Sequence, residues 1–183
     1  MLIKTTQSEA QKIPKLRFPE FSGVPSSAKA TVGNWEEKRL GEVSRFWNGK
    51  AHEQDISDNG EYIVINSKFV STDGGIKKYS RKQISPLEKG DIAIVMSDIP
   101  NGRAIAKCFL VNEDGRYTLN QRIGGIRSKE IISSFLFRIL SRHRYFLRFD
   151  NGVSQTNLRK DEVLKCPLVF PSLPEQKKIA GFL

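Results

Sequence analysis

The chain has 183 residues, enough to bury one core of ordinary domain size with short extensions, and too few for two full domains. Lys and Arg number 30 against 20 Asp and Glu, a formal charge of +10, which puts a polyanion first among partner classes: DNA, RNA or an acidic membrane surface. Cys108 and Cys166 lack CxxC spacing and have only His52 and His143 as nitrogen partners, which argues against a structural zinc and against a disulfide scaffold.

The start, MLIKTTQSEAQK, turns polar after three residues. It holds no apolar stretch long enough for a signal peptide or a membrane span, so the chain reads as cytoplasmic with no membrane partner. Residues 1–33 carry Pro14, Pro19 and Pro25 and little periodicity, which predicts an extended leader. Phe18 and Phe21 can pin it to the domain surface. Asn34 can cap a short helix through Trp35, Glu36 and Glu37 that ends near Gly41, with the acidic pair at its positive end.

Beyond Asn59-Gly60, the β-branched run Tyr62–Ile65 predicts a strand, and Asp73-Gly74-Gly75 a turn. Ile92 to Met96 is apolar throughout and predicts a buried strand, with a second over Ala104 to Val111 and a polar turn, Ser97 to Arg103, between them. Asp114-Gly115 predicts a hairpin toward Tyr117 and Leu119. Arg122 to Arg127 predicts a weaker strand with a bulge at Gly124-Gly125.

The plainest helical pattern runs from Ser134 to Arg148. Phe135, Leu136, Ile139, Leu140, His143, Phe146 and Leu147 share one face, and Arg138, Arg142, Arg144 and Arg148 the other. A second helix is predicted over Leu158 to Lys165, capped by Thr156 or Asn157, followed by an extended Cys166 to Phe170 that Pro171 stops. This order predicts an α/β chain of the α+β type, a twisted, mainly antiparallel sheet with a few packed helices.

Catalytic signatures are missing. There is no glycine-rich AdoMet loop, no Asn-Pro-Pro-aromatic run and no Walker loop, and the isolated Gly pairs read as turns or bulges. Glu36-Glu37-Lys38 on the predicted first helix and the turn Glu88 to Asp91 do not form the carboxylate cluster a metal nuclease needs. His52 and His143 have no Ser or Cys nucleophile arranged around them, and His143 falls on the apolar side of its helix as a packed residue would.

Binding chemistry is visible in the middle of the chain, where Lys77 to Arg148 holds 15 Lys and Arg against 6 Asp and Glu. Lysines neutralise phosphates, whereas Arg and Asn make paired hydrogen bonds to base edges and aromatic rings stack. The candidates are Lys68, Lys77, Lys78, Tyr79, Arg81, Asn101, Arg103, Arg116 and Tyr117, with Asn120-Gln121-Arg122 of similar character. A solvated surface has the same composition, and a basic RNA-binding module or a protein-only scaffold stand as alternatives to a DNA reader.

At the C-terminal end, Gly152-Val-Ser-Gln155-Thr-Asn157-Leu158, then Cys166-Pro-Leu, then Pro171-Ser-Leu-Pro-Glu175-Gln176-Lys-Lys-Ile179-Ala closely resemble the close of a target recognition domain in the specificity (S) subunits of type I restriction-modification systems. Trp35 to Val43 is similar to that domain's opening, Gly90-Asp91-Ile92 to the approach to its central strand, and Pro14 to Phe21 to the family's N-terminal tag. The link from Ser22 to Gly33 is longer than the family pattern.

The resemblance implies a non-catalytic DNA-recognition part: two such domains each read half of a split double-stranded DNA site, separated by helices that bind methyltransferase (M) subunits. AdoMet belongs on those subunits and no cofactor on this chain, while restriction/translocase (R) subunits move and cut DNA. On this resemblance residues 1–33 are a leader, 34–173 one recognition domain and 174–183 the start of a spacer helix. Pro174 suits the first helical position and Glu175 the positive end, and Ile179 with Leu183 begins an i,i+4 apolar stripe. Glu175, Gln176, Ile179 and Leu183 are therefore the expected partner-binding residues. A short helix folded back on its own domain is the other reading of this segment.

Overall fold

The computed structural model describes residues 17–21, 35–99 and 102–182. The first half contains β1 (Glu36–Arg39), α1 (Leu40–Val43), β2 (Ser44–Asn48), β3 (Tyr62–Ile65), α2 (Ser67–Ser71), β4 (Tyr79–Ser80), β5 (Ile92–Val95) and β6 (Ser97–Asp98). Then come β7 (Cys108–Leu110), β8 (Tyr117–Leu119), β9 (Ile123–Ser128), α3 (Ser133–Leu140) and α4 (Arg144–Leu147). The chain closes with β10 (Thr156–Asn157), α5 (Lys160–Leu164), β11 (Pro167–Phe170) and α6 (Leu173–Phe182).

The central sheet has the order β2-β9-β5-β7, with every neighbouring pair antiparallel. A three-stranded sheet, β4-β3-β8, lies beside it, with β3 and β8 parallel. Two strand pairs, β1-β11 and β10-β6, and three isolated bridges, Lys50 with Asn120, Ile56 with Ser80 and Pro86 with Thr118, complete the pairing among the described residues.

The apolar run of β5 is explained by burial on both faces. Ile92 and Ile94 enter a core shared with Leu40, Val43, Phe135, Leu136, Phe146 and Val163. Ala93 and Val95 enter a second core with Ile63, Ile65, Phe69, Leu87 and Tyr117. Successive side chains of a strand point to opposite faces, so one strand joins two cores and must be apolar at each position. Its start is fixed by Asp91, 1% exposed, whose carboxylate accepts from Arg127 Nε at 2.7 Å and Nη2 at 2.8 Å. This pairing raises the Arg127 pKa above its ordinary value.

Several expectations are corrected. Glu36 to Arg39 is not helical: it pairs with β11, Glu36 opposite Phe170 and Arg39 opposite Pro167. The helix starts only at Leu40, where the Glu42 carboxylate accepts from the Arg39 N–H, and the proposed cap Asn34 lies outside the described residues. The Ala104 to Val111 strand shrinks to β7, because Ala106 has φ 56° in a turn. The Asp114-Gly115 hairpin is absent, since β8 pairs with β3 rather than β7. No bulge interrupts β9, whose registers with β2 and β5 run without a skip.

The long helix predicted from Ser134 to Arg148 is two. Arg142 sits at φ 58°, its N–H donating to Ala106 O at 2.8 Å and its guanidinium to Ile105 O at 3.1 Å. His143 then starts α4 afresh, its Nδ1 accepting from Tyr145 N–H at 3.2 Å. A tertiary anchor thus overrides an amphipathic period that alone predicts continuity. Helix α5 begins at Lys160, with Arg159 rather than Thr156 or Asn157 preceding it, and Pro174 is the second residue of α6.

Candidate nucleic-acid interface

Asn66 caps α2 by accepting from Phe69 N–H at 2.9 Å, a helix that is not among the elements predicted from the sequence. Phe69 and Val70 go into the second core, leaving Lys68 exposed. The turn that follows uses Asp73 and Gly74 at positive φ and delivers the chain to β4. There Lys78 O accepts from Val64 N–H at 2.8 Å and Tyr79 O from Ser57 N–H at 3.0 Å.

Lys77, Lys78, Tyr79 and Arg81 therefore run along and beside β4 at the edge of the smaller sheet, and Lys68 sits on α2, which follows the neighbouring β3; together they make an α2–β4 border. The four cations are exposed, while the Tyr79 ring is partly buried against the second core. Asp55 pairs with the neighbouring Lys82 at 3.0 Å. Arg116 joins Arg81 at the Tyr62 end of this sheet, since Ile63 N–H donates to Arg116 O and Tyr62 pairs with Ser80. The Arg116 guanidinium pairs with Glu113 at 3.0 Å.

Tyr117 does not belong to a surface. It is 6% exposed, stacks edge-on with Phe69 and Phe109, and donates its hydroxyl to Asn112 Oδ1 at 2.8 Å. Burial raises its pKa. Arg103 is exposed in the link between β6 and β7, and Asn101 lies outside the described residues.

A second polar surface emerges where β6 pairs with β10, built from the segment that carries the Gly152 to Leu158 resemblance. Leu158 N–H donates to Met96 O at 2.7 Å, Ser97 Oγ to Asn157 Oδ1 at 2.8 Å, and Gln155 Nε2 to Ser97 Oγ at 2.7 Å. These bonds seat the segment on the end of β5. The adjoining cleft is lined by Asn48, Ser97, Arg122, Asn157, Arg159 and Lys160. Sequence reading had Arg122 as part of a cluster but missed the others. Only the order of amides and cations along residues 155–160 hinted at them.

The terminal helix is packed onto its own domain. Glu175 and Gln176 are 1% and 2% exposed. Gln176 Oε1 accepts from Ile132 N–H at 3.1 Å, its amide donates to Pro171 O at 2.9 Å, and Glu175 is held by Arg17. Both side chains are thus engaged inside the chain rather than presented outward. Ile179 is partly buried against the first core, and Leu183 lies outside the described residues.

Among the described residues no group of three or more His, Cys, Asp or Glu is placed to hold a metal ion, and no helix is long and apolar enough to cross a membrane. His52 is buried with Nδ1 on Lys50 O at 2.7 Å and Nε2 on Thr118 Oγ1 at 2.8 Å, a structural pairing that spends both ring nitrogens.

Residues 33–183 match the family described as type I restriction modification DNA specificity domain. Among solved structures, an S subunit of a type I restriction-modification system from M. genitalium is similar, with a TM-score of 0.64 at 17% identity, covering 87% of this chain and 41% of that one. A chain from a structure on complex assembly and conformational transition of the type I R-M system gives 0.66 at 15%, covering 86% and 39%. The HsdS subunit from Thermoanaerobacter tengcongensis gives 0.58 at 15%, covering 87% and 38%. The chain thus spans about two fifths of the length of these structures. No curated protein matches.

Proposed function

The chain belongs to the type I restriction modification DNA specificity domain family, and from that premise we propose that it reads one half of a bipartite double-stranded DNA target. In this reading it directs M subunits, which carry AdoMet, and R subunits to that site within the cytoplasm. The domain is a DNA-specificity component and not the enzyme of the system. The observation that carries the reading is the family match over residues 33–183.

The exposed border of Lys68, Lys77, Lys78 and Arg81 supplies phosphate contacts in this reading, since cations that neutralise phosphates release the counterions condensed on DNA, and Arg116 at its end can join them by leaving Glu113. Tyr79 supplies the ring edge beside them, and Arg103 with Asn101 the base-reading chemistry. Residues 1–33 act as a leader, 34–173 as the recognition domain and 174–183 as the start of the spacer helix, with Ile179 and Leu183 opening the partner-facing stripe. Glu175 and Gln176 serve that helix by anchoring its base.

Methylome sequencing of cells carrying the complete system, with this domain intact, deleted or carrying Arg103→Ala, tests the reading. The expected result is a two-part methylated motif whose one half loses discrimination at a base pair in the variant. A motif independent of this domain's presence rejects it.

A further inference from the structure

Two of the most exposed large aliphatic side chains among the described residues stand at the same end of one strand pair. Val153 is 84% and Ile99 70% exposed. Thr156 pairs with Asp98 and Asn157 with Ser97, so continuing the register sets Ile99 beside Gln155, two residues from Val153.

The backbone that carries them is stiffened by its own carboxylate and amide side chains. Asp98 Oδ2 accepts from Ala104 N–H at 2.6 Å and Ile105 N–H at 3.0 Å, and Oδ1 from Ile99 N–H at 2.9 Å. Asp150 Oδ1 accepts from Gly152 N–H and the Thr156 hydroxyl, each at 3.0 Å. Asn151 Oδ1 accepts from Val153 N–H at 3.0 Å and Ser154 N–H at 3.1 Å. Exposed aliphatic tips on pre-ordered backbone lose little entropy when they are covered.

The other end of the same strand pair says what covers them. Arg122, Arg159 and Lys160 line the cleft at its Ser97–Asn157 end, all exposed and with no ion pair among the described residues. Asp161 follows Lys160 directly and is exposed, without pairing to it, and Glu162 spends Oε2 on the Arg159 N–H at 2.6 Å. Cations and amides beside bare methyl groups complement a nucleic-acid groove, where phosphates flank base edges and thymine methyls.

We infer that the β6–β10 end is a second DNA-contacting surface, in which Val153 and Ile99 meet base edges in a groove while Arg122, Arg159 and Lys160 hold the flanking phosphates. The inference rests on the DNA-recognition reading and adds a contact surface apart from the α2–β4 border. It gives the Gly152 to Leu158 segment a role in discrimination as well as in seating the strand.

The test enriches a pool of random duplexes on the complete 183-residue chain. Binding to the enriched duplex and to a scrambled one is then measured, with a melting curve for each variant. Arg159→Ala with Lys160→Ala is expected to weaken both duplexes at least about tenfold, as lost phosphate contacts do. Val153→Ser and Ile99→Ser are expected to weaken only the enriched duplex, about fivefold to tenfold, with unchanged melting. If either serine variant melts lower, Val153→Thr and Ile99→Val decide by the same readout.

Enriched binding untouched by all of these, but reduced by Lys77→Ala with Lys78→Ala, overturns this inference and leaves the DNA-recognition reading standing. Unaltered DNA binding with impaired assembly on M subunits assigns the surface to a protein partner and also overturns it. A wild-type chain that enriches no duplex overturns both.

Discussion

The guanidinium of Arg17 donates to both carboxylate oxygens of Glu175, Nε to Oε1 at 2.8 Å and Nη2 to Oε2 at 2.5 Å, across 158 positions of chain. Glu175 lies in the first turn of α6 and is 1% exposed. Beside this pair Phe18 meets Phe182 edge-on with centroids 5.7 Å apart, and the Lys178 ammonium stands 4.5 Å from the Phe18 ring centre and pairs with Glu20. The segment Arg17 to Phe21 is therefore held along the terminal helix from its first turn to its last.

Breaking a buried pair by removing one partner leaves an uncompensated charge, which costs about 3 kcal/mol or more. Glu175→Ala and Arg17→Ala are each expected to lower unfolding stability by about that amount in urea titrations. The double substitution should cost clearly less than the two single costs added, because both remove one interaction. Additive losses would show that the two side chains are energetically independent.

This contact also marks how far the sequence could be read. The strands β3, β5 and β11 were legible because each is a short run of apolar or β-branched residues bounded by turn or proline signals. The family markers were legible because they are local. What failed was decided by pairing across long separations: Glu36 to Arg39 has helical composition but finds β11, and Arg142 is turned by a carbonyl on the β7 approach. Tyr117 looked like surface chemistry beside Arg116, yet it opens β8, whose three residues are all buried where the strand pairs with β3. In the same way nothing local tells that Gln155 and Asn157 converge on Ser97.

Gly125 is required by an aromatic ring. It pairs with Trp47 across the β2–β9 ladder, and a Cβ there would stand 2.3 Å from Trp47 Cε2. Gly125→Ala is expected to lose about 1–3 kcal/mol through overpacking, read as a lower melting temperature. The loss should shrink in a Trp47→Ala background, where the ring no longer occupies that space. A loss of the same size in both backgrounds would trace the requirement to the backbone instead.

Both thiols are closed to chemistry in the folded chain. Burial pushes the Cys166 thiol up to about 12 and raises that of Cys108 as well, and the thiolate is the reacting species. A thiol reagent at pH 7.5 should therefore label neither in the native protein and both of the 2 cysteines after unfolding in guanidinium. Fast labelling of one in the native state would mean that its core opens locally.

His143 links stability to pH. Burial first, and the neighbouring Arg144 second, hold its pKa below the ordinary value, and its Nδ1 must stay unprotonated to accept from Tyr145 N–H. The unfolded chain therefore binds more protons than the folded one between the lowered value and about 6.5, so stability falls as pH drops through that window. His143→Asn keeps an acceptor at the start of α4 and removes the titration. Urea midpoints from pH 7.5 to 5.5 should decline less steeply in the variant, and parallel declines would remove His143 as the cause.

The lysines of the α2–β4 border make a quantitative claim about salt. Lys77 and Lys78 are exposed on consecutive positions before Tyr79, with no ion pair among the described residues, whereas Lys82 nearby is paired with Asp55. A lysine that contacts a phosphate of B-DNA contributes about 0.9 to the slope of log affinity against log salt. Lys77→Ala should therefore weaken binding to specific and scrambled duplexes alike and flatten that slope by about one phosphate's contribution. Lys82→Ala should change it less, because its charge is already partly neutralised. Duplex titrations between 50 and 200 mM salt, the range over which phosphate contacts change affinity by about three to five orders of magnitude for six to ten contacts, measure both. Equal slopes for Lys77→Ala and the unaltered chain would place the phosphate track away from this border.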